Sequence, residues 1–356
     1  MDMKRSYYED IELFKSGVIL FWSIIFLLVL FTFPLYLSDY ALYLISLIMV
    51  YVIVSVGLNI LVGSTGQISL GHAGFFAIGA YATVLLMTQL QFPFFVAIIA
   101  AAFIAAFFGF ILGLPALRLE GPYLTIATLA FGLAIMHVIG HTELFGGRQG
   151  LGAPELDLGI QQLGLSYIVS TVTGKYYLVL GFTLVMVLFA INILKARAGR
   201  AFVAIRDSDI AAEVIGINLT IYKTLSFAVS AFYAGIAGGL FAFVLGFFDP
   251  FTFNLILSII FIVMIVVGGL GSVMGSITGA ALITYLMYDL FKNLNEVPFF
   301  GDLLVSFSQR WMTITGMDNL NYIALGLVMI GIMLFEPLGL FGAWIRMKKY
   351  WKTWPF

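Results

Sequence analysis

Four polar side chains stand close together in one otherwise apolar, Gly-rich stretch of the sequence, residues 57–81. They are Asn59, Gln67, Ser69 and His72. Amide, hydroxyl and imidazole groups in an apolar setting either hydrogen-bond between packed helices or line a polar pathway. The residue types alone favour neither use, and the two are compatible.

Glycines interrupt the same stretch at positions 63, 66, 71 and 74. Broken helices at membrane depth are tolerated only where protein or a water-filled cavity satisfies the polar backbone, and such segments point to solute sites in transporters. Small residues also let helices pack closely, which is the competing explanation. The residues predicted to serve a translocation pathway or core packing are Asn59, Gly63, Gly66, Gln67, Ser69, Gly71 and His72.

Patterns for catalysis, metal binding or nucleotide binding are missing. The Gly174-Lys175 pair is followed by Tyr176 and lacks the first glycine of a P-loop, and neither H-E-x-x-H nor G-x-S-x-G occurs. The three histidines are too scattered for a convincing metal site. A Ser-His-Asp arrangement remains open. We predict no catalytic residue, no metal site and no cofactor bound by this chain, so that energy for transport comes from an ion gradient or from another subunit.

Composition places the chain in a membrane. Of 356 residues, 62% are hydrophobic and 10% are charged, and none is cysteine. Soluble domains carry about 25% charged residues, so the excess apolar surface is expected to face the lipid bilayer. No basic face suited to nucleic acid is present. The proposed membrane spans contain almost no ionisable residues, which argues against an intramembrane proton relay.

The predicted fold is an all-α, polytopic membrane helix bundle. Since about 20 apolar residues cross the bilayer, ten spans are expected, with eight or nine as alternatives because the eighth and ninth are short. The candidate spans are 18–37, 41–62, 68–87, 94–117, 123–139, 177–194, 225–247, 255–267, 277–291 and 322–335.

The placement of lysine and arginine predicts the orientation. Of 17 such residues, three lie in the tail 1–16, five in the segment 195–223 and four in the tail 343–356. The positive-inside rule puts all three in the cytoplasm, with the membrane-spanning body at 17–342 and the loop 140–176 on the outer side. That loop is either functional or a solvated connector, and loop length does not choose between them.

The segment 195–223, called the polar segment from here on, has the pattern of short amphipathic helices. Apolar Ala201, Ile205 and Ala212 alternate with charged residues, and Asp207 or Ser208 could cap a second helix beginning at Asp209. Its mixed charge favours docking onto a protein over lying on a membrane.

A second Gly-rich stretch at 267–284 repeats the motif of the first. Both contain V-G-x-x-G-x-[IV], at 62–68 and at 267–273. A duplicated core with broken Gly-rich helices would explain the likeness, and chance similarity in Gly-rich sequence is the competing explanation.

Several motifs together resemble a known family. GLNILVGSTGQISLGHAGFFAIGAY at 57–81, GPYLTIATLAFG at 121–132, GRAFVAIRDSDIAAEVIGIN at 199–218, GGLGSVMGSITGAAL at 268–282 and EPLGLFG at 336–342 are similar to signatures of the LivM/LivH-type permeases, the membrane subunits of branched-chain amino acid ABC importers. The likeness runs from about 50 to 342 and is strongest to the LivM branch. FGGRQGL at 145–151 departs from it, because Phe145 replaces a threonine.

The resemblance implies a set of partners and a role for the polar segment. The partners would be a second, LivH-like permease, two cytoplasmic ATP-binding subunits that carry ATP and magnesium, and a periplasmic substrate-binding protein, all at the bacterial inner membrane. The polar segment would be the coupling loop that contacts the ATPase. The residues of that loop are Gly199, Arg200, Arg206, Asp209, Ala212, Glu213 and Gly216.

The resemblance also implies a function, which is import of leucine, isoleucine and valine. Relatives in the same family handle urea, short amides or other small amino acids, so the solute stays open. A stand-alone carrier or channel and an intramembrane enzyme are the alternatives from other classes. Only an importer needs the polar segment to bind an ATPase.

Overall fold

The structure, a computed structural model, describes residues 17–115, 119, 121–154, 171–290, 326–327, 329–336 and 338–353. The tail 1–16, residues 155–170 of the loop 140–176 and part of the candidate span 322–335 fall outside this range. The helices are α1 (Gly17–Thr32), α2 (Asp39–Thr65), α3 (His72–Gln89), α4 (Phe94–Gly113), α5 (Pro122–His141), α6 (Val172–Lys195), α7 (Arg197–Asp207), α8 (Asp209–Val214), α9 (Leu219–Leu245), α10 (Leu255–Gly268), α11 (Val273–Tyr285) and α12 (Gly339–Thr353).

The helical fold is confirmed, whereas the number of spans is not. Within the described part of the chain, six helices are long and apolar enough to cross a membrane. They are Asp39–Thr65, Phe94–Gly113, Pro122–His141, Val172–Lys195, Leu219–Leu245 and Met329–Lys348. Two further apolar helices, Phe21–Leu35 and Leu255–Gly268, are shorter. A count of eight to ten spans therefore stays a prediction.

Helix α9 lies at the centre and packs against α2, α3 and α4. Its glycines make these crossings close: a Cβ added to Gly235 would lie 2.7 Å from Ala102 Cα of α4, and one added to Gly238 would lie 2.0 Å from Phe76 O of α3. Because lipid is as apolar as the helices, close backbone approach rather than hydrophobic burial holds such helices together.

A small antiparallel pair of strands accompanies the helices. β1 (Leu151–Gly152) pairs with β2 (Phe247–Phe248), with Leu151 opposite Phe248. Short 3₁₀ turns flank it at Glu143–Phe145, Gly147–Gln149 and Pro250–Phe253. The sequence analysis predicted helices alone and missed this pairing, since two residues leave no readable alternation. The pair ties the loop 140–176 to the end of α9.

Candidate functional site: two helix breaks and the polar segment

The Gly-rich stretch 57–81 is an interrupted helix, as its glycines predict. Helix α2 ends at Gly66, whose φ of 72° is left-handed, and α3 begins at His72. Residues 66–71, called the first break, are not helical. The third span was predicted to begin at residue 68, four residues before the helix begins, because the apolar residues continue through the break.

A second break, residues 269–272, separates α10 from α11. Gly269 and Gly271 both have left-handed φ values, 123° and 78°. Gly271 occupies the same place in the V-G-x-x-G-x-[IV] motif as Gly66, and the two residues share a left-handed conformation. A common origin of the two stretches remains a hypothesis, but their likeness in backbone shape at this point is a structural fact.

The two breaks lie against each other, and Asn59 joins them. Asn59 Oδ1 accepts from Gly271 N at 2.9 Å. Its Nδ2 donates to Ser272 O at 2.9 Å and to Ser276 Oγ at 2.7 Å. The amide thus satisfies three groups of the second break and α11 at once, which is the packing role that the sequence left open for it.

Gly63 permits this close approach. A Cβ at Gly63 would lie 2.0 Å from Asn59 Oδ1 and 2.3 Å from Gly271 N. Gly71 has a similar role on the other side of the first break, because its Cβ would lie 2.0 Å from Thr128 O of α5. Glycine is therefore needed at both positions because a Cβ would clash with neighbouring backbone atoms, and not because of the dihedral angles there.

His72 is fully buried at the start of α3 and contacts α9. Its Nε2 lies 3.0 Å from Ser230 Oγ, and Ser230 Oγ donates to Gly57 O at 2.7 Å. Because the single hydroxyl proton of Ser230 goes to Gly57 O, the arrangement that satisfies both contacts has the imidazole proton on Nε2. Nδ1 of His72 then has no partner among the described residues.

Two other polar residues of the first break are buried without partners. Gln67 is only 6% exposed, and neither its Oε1 nor its Nε2 has a hydrogen-bond partner in the described part of the protein. Ser69 Oγ is also buried without a hydrogen-bond partner in the described part of the protein. A buried amide without partners costs about 1–3 kcal/mol. Such residues are retained where something besides stability requires them.

Gln67 lines a cavity of about 440 Å³. The cavity lies between the first break and the polar segment, and its wall also includes Ile68, Arg206, Asp209 and Lys223. Its lining is therefore a mixture of an amide, charged groups and apolar side chains. A small solute with a polar end and an apolar side chain would find complementary groups here.

The polar segment forms two helices, as its pattern predicts. In α7 and α8 the residues Ala201, Phe202, Ile205 and Ala212 are buried. Ser208 caps α8, because its side chain accepts from Ala211 N at 3.3 Å. Of the two caps proposed from sequence, Ser208 is confirmed.

The predicted coupling residues have different surroundings. Gly199 lies against the end of α6, where its Cβ would be 2.2 Å from Leu194 O. Arg200 donates to Lys195 O at 3.0 Å, and Asp209 accepts from Lys223 Nζ at 2.5 Å. Glu213 is exposed, and Gly216 has a left-handed φ of 88° that ends the segment's second helix.

Arg206 contacts the protein interior rather than only the surface. Its Nη1 donates to Gly63 O at 2.8 Å, and its Nη2 lies 3.4 Å from Asp207 Oδ1. The polar segment and the first break are therefore in direct contact. Sequence reasoning singled out both regions but had no signal that they meet.

Sequence reasoning also missed the residues that hold the first break from outside. Leu70 N donates to Thr128 Oγ1 at 3.0 Å, and Ala73 N donates to Ser258 Oγ at 3.0 Å. Thr128 and Ser258, like Ser230, are hydroxyl residues within apolar helices. The pattern that could have identified them is their burial within spans, where a hydroxyl must find a partner.

Comparison with known proteins agrees with this architecture. Residues 40–333 match the family described as branched-chain amino acid transport system, permease component. The chain is 36% identical over 274 residues to the high-affinity branched-chain amino acid transport system permease protein LivM of Salmonella typhimurium, which covers 70% of this chain and 63% of the relative. No solved structure matches.

Two further relatives extend the comparison. LivM of Escherichia coli is 36% identical over 270 residues, covering 70% of this chain and 63% of the relative. A probable branched-chain amino acid transport permease protein LivM of Methanocaldococcus jannaschii is 23% identical over 262 residues, covering 68% of each. The chain thus spans slightly under two thirds of the length of the two bacterial relatives.

Proposed function

Because this chain belongs to the family of branched-chain amino acid transport permeases, we propose that it is the membrane subunit of an ATP-driven importer of leucine, isoleucine and valine. ATP and magnesium are held by two separate cytoplasmic subunits, and a LivH-like permease completes the pore. A periplasmic binding protein delivers the solute at the inner membrane. The polar segment and both termini lie on the cytoplasmic side.

An exposed apolar patch on the polar segment is the observation that carries the proposal. Ile210, Val214 and Ile215, called the docking patch, are 78%, 82% and 71% exposed. They project from a segment that is itself anchored by buried residues on its other face. Solvent exposure of three large aliphatic side chains on one short helix and its C-cap favours a protein partner. A groove on the ATP-binding subunit is the partner that an importer requires.

The first break supports a pathway for a small amino acid. Gln67 belongs to the wall of the cavity beside the polar segment, and its buried amide has no partner within the described protein. Apolar Ile68, Leu119 and Leu124 also line this cavity. A branched-chain amino acid combines the same two kinds of surface, with polar groups at one end and an aliphatic side chain at the other.

Solute uptake by reconstituted complexes tests the function. The chain is co-expressed with the ATP-binding, permease and binding-protein subunits encoded with it, and uptake of labelled leucine, urea and acetamide into proteoliposomes is measured with and without ATP. We expect ATP-dependent leucine uptake. ATP-dependent uptake of urea or acetamide alone would overturn the solute, and leucine uptake by this chain without ATP or partners would make it a carrier or channel.

A charge in the docking patch is expected to prevent assembly with the ATPase. In Val214→Asp, co-purification of the ATP-binding subunit should fall about tenfold or more, because burying a carboxylate in an apolar contact is costly. Leu144→Asp is the matched control, since Leu144 is 58% exposed on the loop predicted to be periplasmic. It should leave co-purification unchanged. Equal loss in both variants, or none in Val214→Asp, would contradict the docking role of the patch.

A further inference from the structure

Arg206 donates a hydrogen bond to a backbone carbonyl, that of Gly63, which has no hydrogen-bond donor within its own helix. Gly63 lies in the last turn of α2, where the carbonyl groups lack intrahelical donors. Gly66 N donates to Val62 O, and Gln67 N donates to Leu61 O. Arg206 Nη1 donates to Gly63 O at 2.8 Å, and its positive charge suits the negative end of a helix.

Arg206 also reaches the second break. A Cβ on Gly271 would lie 3.1 Å from Arg206 Nη1 and 3.3 Å from Gly63 O. The guanidinium therefore lies beside the second break. A side chain at Gly271 would crowd the guanidinium and would also strain the backbone, because φ there is 78°.

From this point, hydrogen bonds continue into α11. Asn59, one turn before Gly63 in α2, accepts from Gly271 N and donates to Ser272 O and Ser276 Oγ. Arg206, the end of α2, the second break and the start of α11 thus form one connected set of contacts. A displacement of α7 would therefore move a guanidinium that is hydrogen-bonded to the end of α2 and lies beside the second break.

Both helices of the polar segment are fixed to the helix bundle. Buried residues of α7 pack against α6 and α2, and the Lys223–Asp209 ion pair of 2.5 Å holds α8 to the start of α9. Arg206 is the last basic residue of α7 and its side chain is 41% exposed, so it connects the surface to the interior. An arginine suits such a role because its planar group donates in several fixed directions.

We propose that Arg206 is a positioning residue that carries the movement of the polar segment to both helix breaks, and that its main contact is with the permease interior rather than with the ATPase. The inference rests on the proposed function. Arg206 then links ATP-driven motion to the cavity at Gln67. The docking patch, Ile210, Val214 and Ile215, contacts the ATP-binding subunit.

Measurement of leucine transported per ATP hydrolysed tests the role of Arg206. In the reconstituted complex, Arg206→Ala should keep normal co-purification of the ATP-binding subunit and continue to hydrolyse ATP. Its leucine-to-ATP ratio should fall about fivefold, within the range of coupling that single residues carry. Arg206→Lys should fall less, because the charge near Gly63 O is retained. Arg197→Ala is the matched control, since Arg197 is an exposed arginine at the start of the same helix and is not one of the predicted coupling residues.

A labelling experiment tests the same link without transport. The chain contains no cysteine, so Ile68→Cys places a single thiol in the first break, at a position that is 48% exposed and lines the cavity. Its rate of reaction with a maleimide, read by mass spectrometry of this chain, should change severalfold on adding ATP. The ATP-induced change should disappear when Ile68→Cys is combined with Arg206→Ala and should be reduced when it is combined with Arg206→Lys.

The outcomes separate this inference from the proposed function. Failure of wild-type protein to bind an ATP-binding subunit would overturn both. If binding and ATP-dependent uptake are normal in the wild type, three results would refute the proposed role of Arg206. They are an unchanged leucine-to-ATP ratio in Arg206→Ala, an equal effect of Arg197→Ala, and an ATP-induced labelling change that persists undiminished in both Arg206 variants. If Arg206→Ala fails to assemble, Arg206→Lys and its labelling rate decide the question.

Discussion

A Gln67→Met protein is expected to unfold at a higher temperature than the wild type and to take up leucine at least about tenfold more slowly. Both amide atoms of Gln67 are buried without partners among the described residues, so removing them should gain about 1–3 kcal/mol of stability. Methionine fills a similar volume in the first break. Thermal unfolding in detergent and uptake into proteoliposomes measure the two effects.

Thr284→Val is the matched control for Gln67→Met. Thr284 is fully buried on α11 and its hydroxyl also lacks a partner among the described residues, but it does not line the cavity. The control should raise the unfolding temperature without slowing uptake. If Gln67→Met instead destabilises the protein and lowers assembly and uptake in equal proportion, Gln67 is a packing residue and the pathway through the first break is refuted.

The opposite result is expected for Asn59→Leu, which should be strongly destabilised. The substitution removes three hydrogen bonds, of which the one to Ser276 Oγ is buried and those with Gly271 N and Ser272 O are partly buried. The loss should reach about 3 kcal/mol, since each hydrogen bond contributes about 1 kcal/mol. Less protein should accumulate in the membrane, and the remainder should unfold at a lower temperature in detergent.

Asn254→Ala provides the scale for Asn59→Leu. The side chain of Asn254 caps α10 with one hydrogen bond, to Leu257 N at 3.1 Å, and its removal should cost about 1 kcal/mol. A loss in Asn59→Leu no larger than in this control would show that the contacts between the two breaks contribute little. Wild-type stability combined with lost uptake would move Asn59 to the translocation pathway.

Gln67 and Asn59 show how similar residues in one sequence segment acquire different environments. Both are amides in the Gly-rich stretch, and the sequence assigned both to the same choice between packing and pathway. Asn59 finds three partners on a chain segment more than 200 residues away. Gln67 finds none in the described protein. Long-range packing made this difference, and single-sequence patterns carry no information about which distant backbone lies opposite.

Arg206 makes the same point for the polar segment. Its place on an amphipathic helix predicted a role in coupling, and the resemblance assigned it to a contact with the ATPase. The structure turns its guanidinium toward Gly63 O. Ser208, by contrast, caps α8 as expected, because a cap depends on residues two or three positions away and can be recognised locally.

The sequence by itself determined the features that depend on composition and local spacing. Scarcity of charge predicted an all-helical membrane protein, and the glycines of 57–81 predicted that one of its helices would be broken. The caps and the amphipathic helices of the polar segment followed from neighbouring residues. Only the tertiary structure decided that the two breaks meet, that Asn59 joins them and that Arg206 reaches them both. These contacts join residues about 65 to 220 positions apart, and the geometry that brings them together arises when helices cross at glycines.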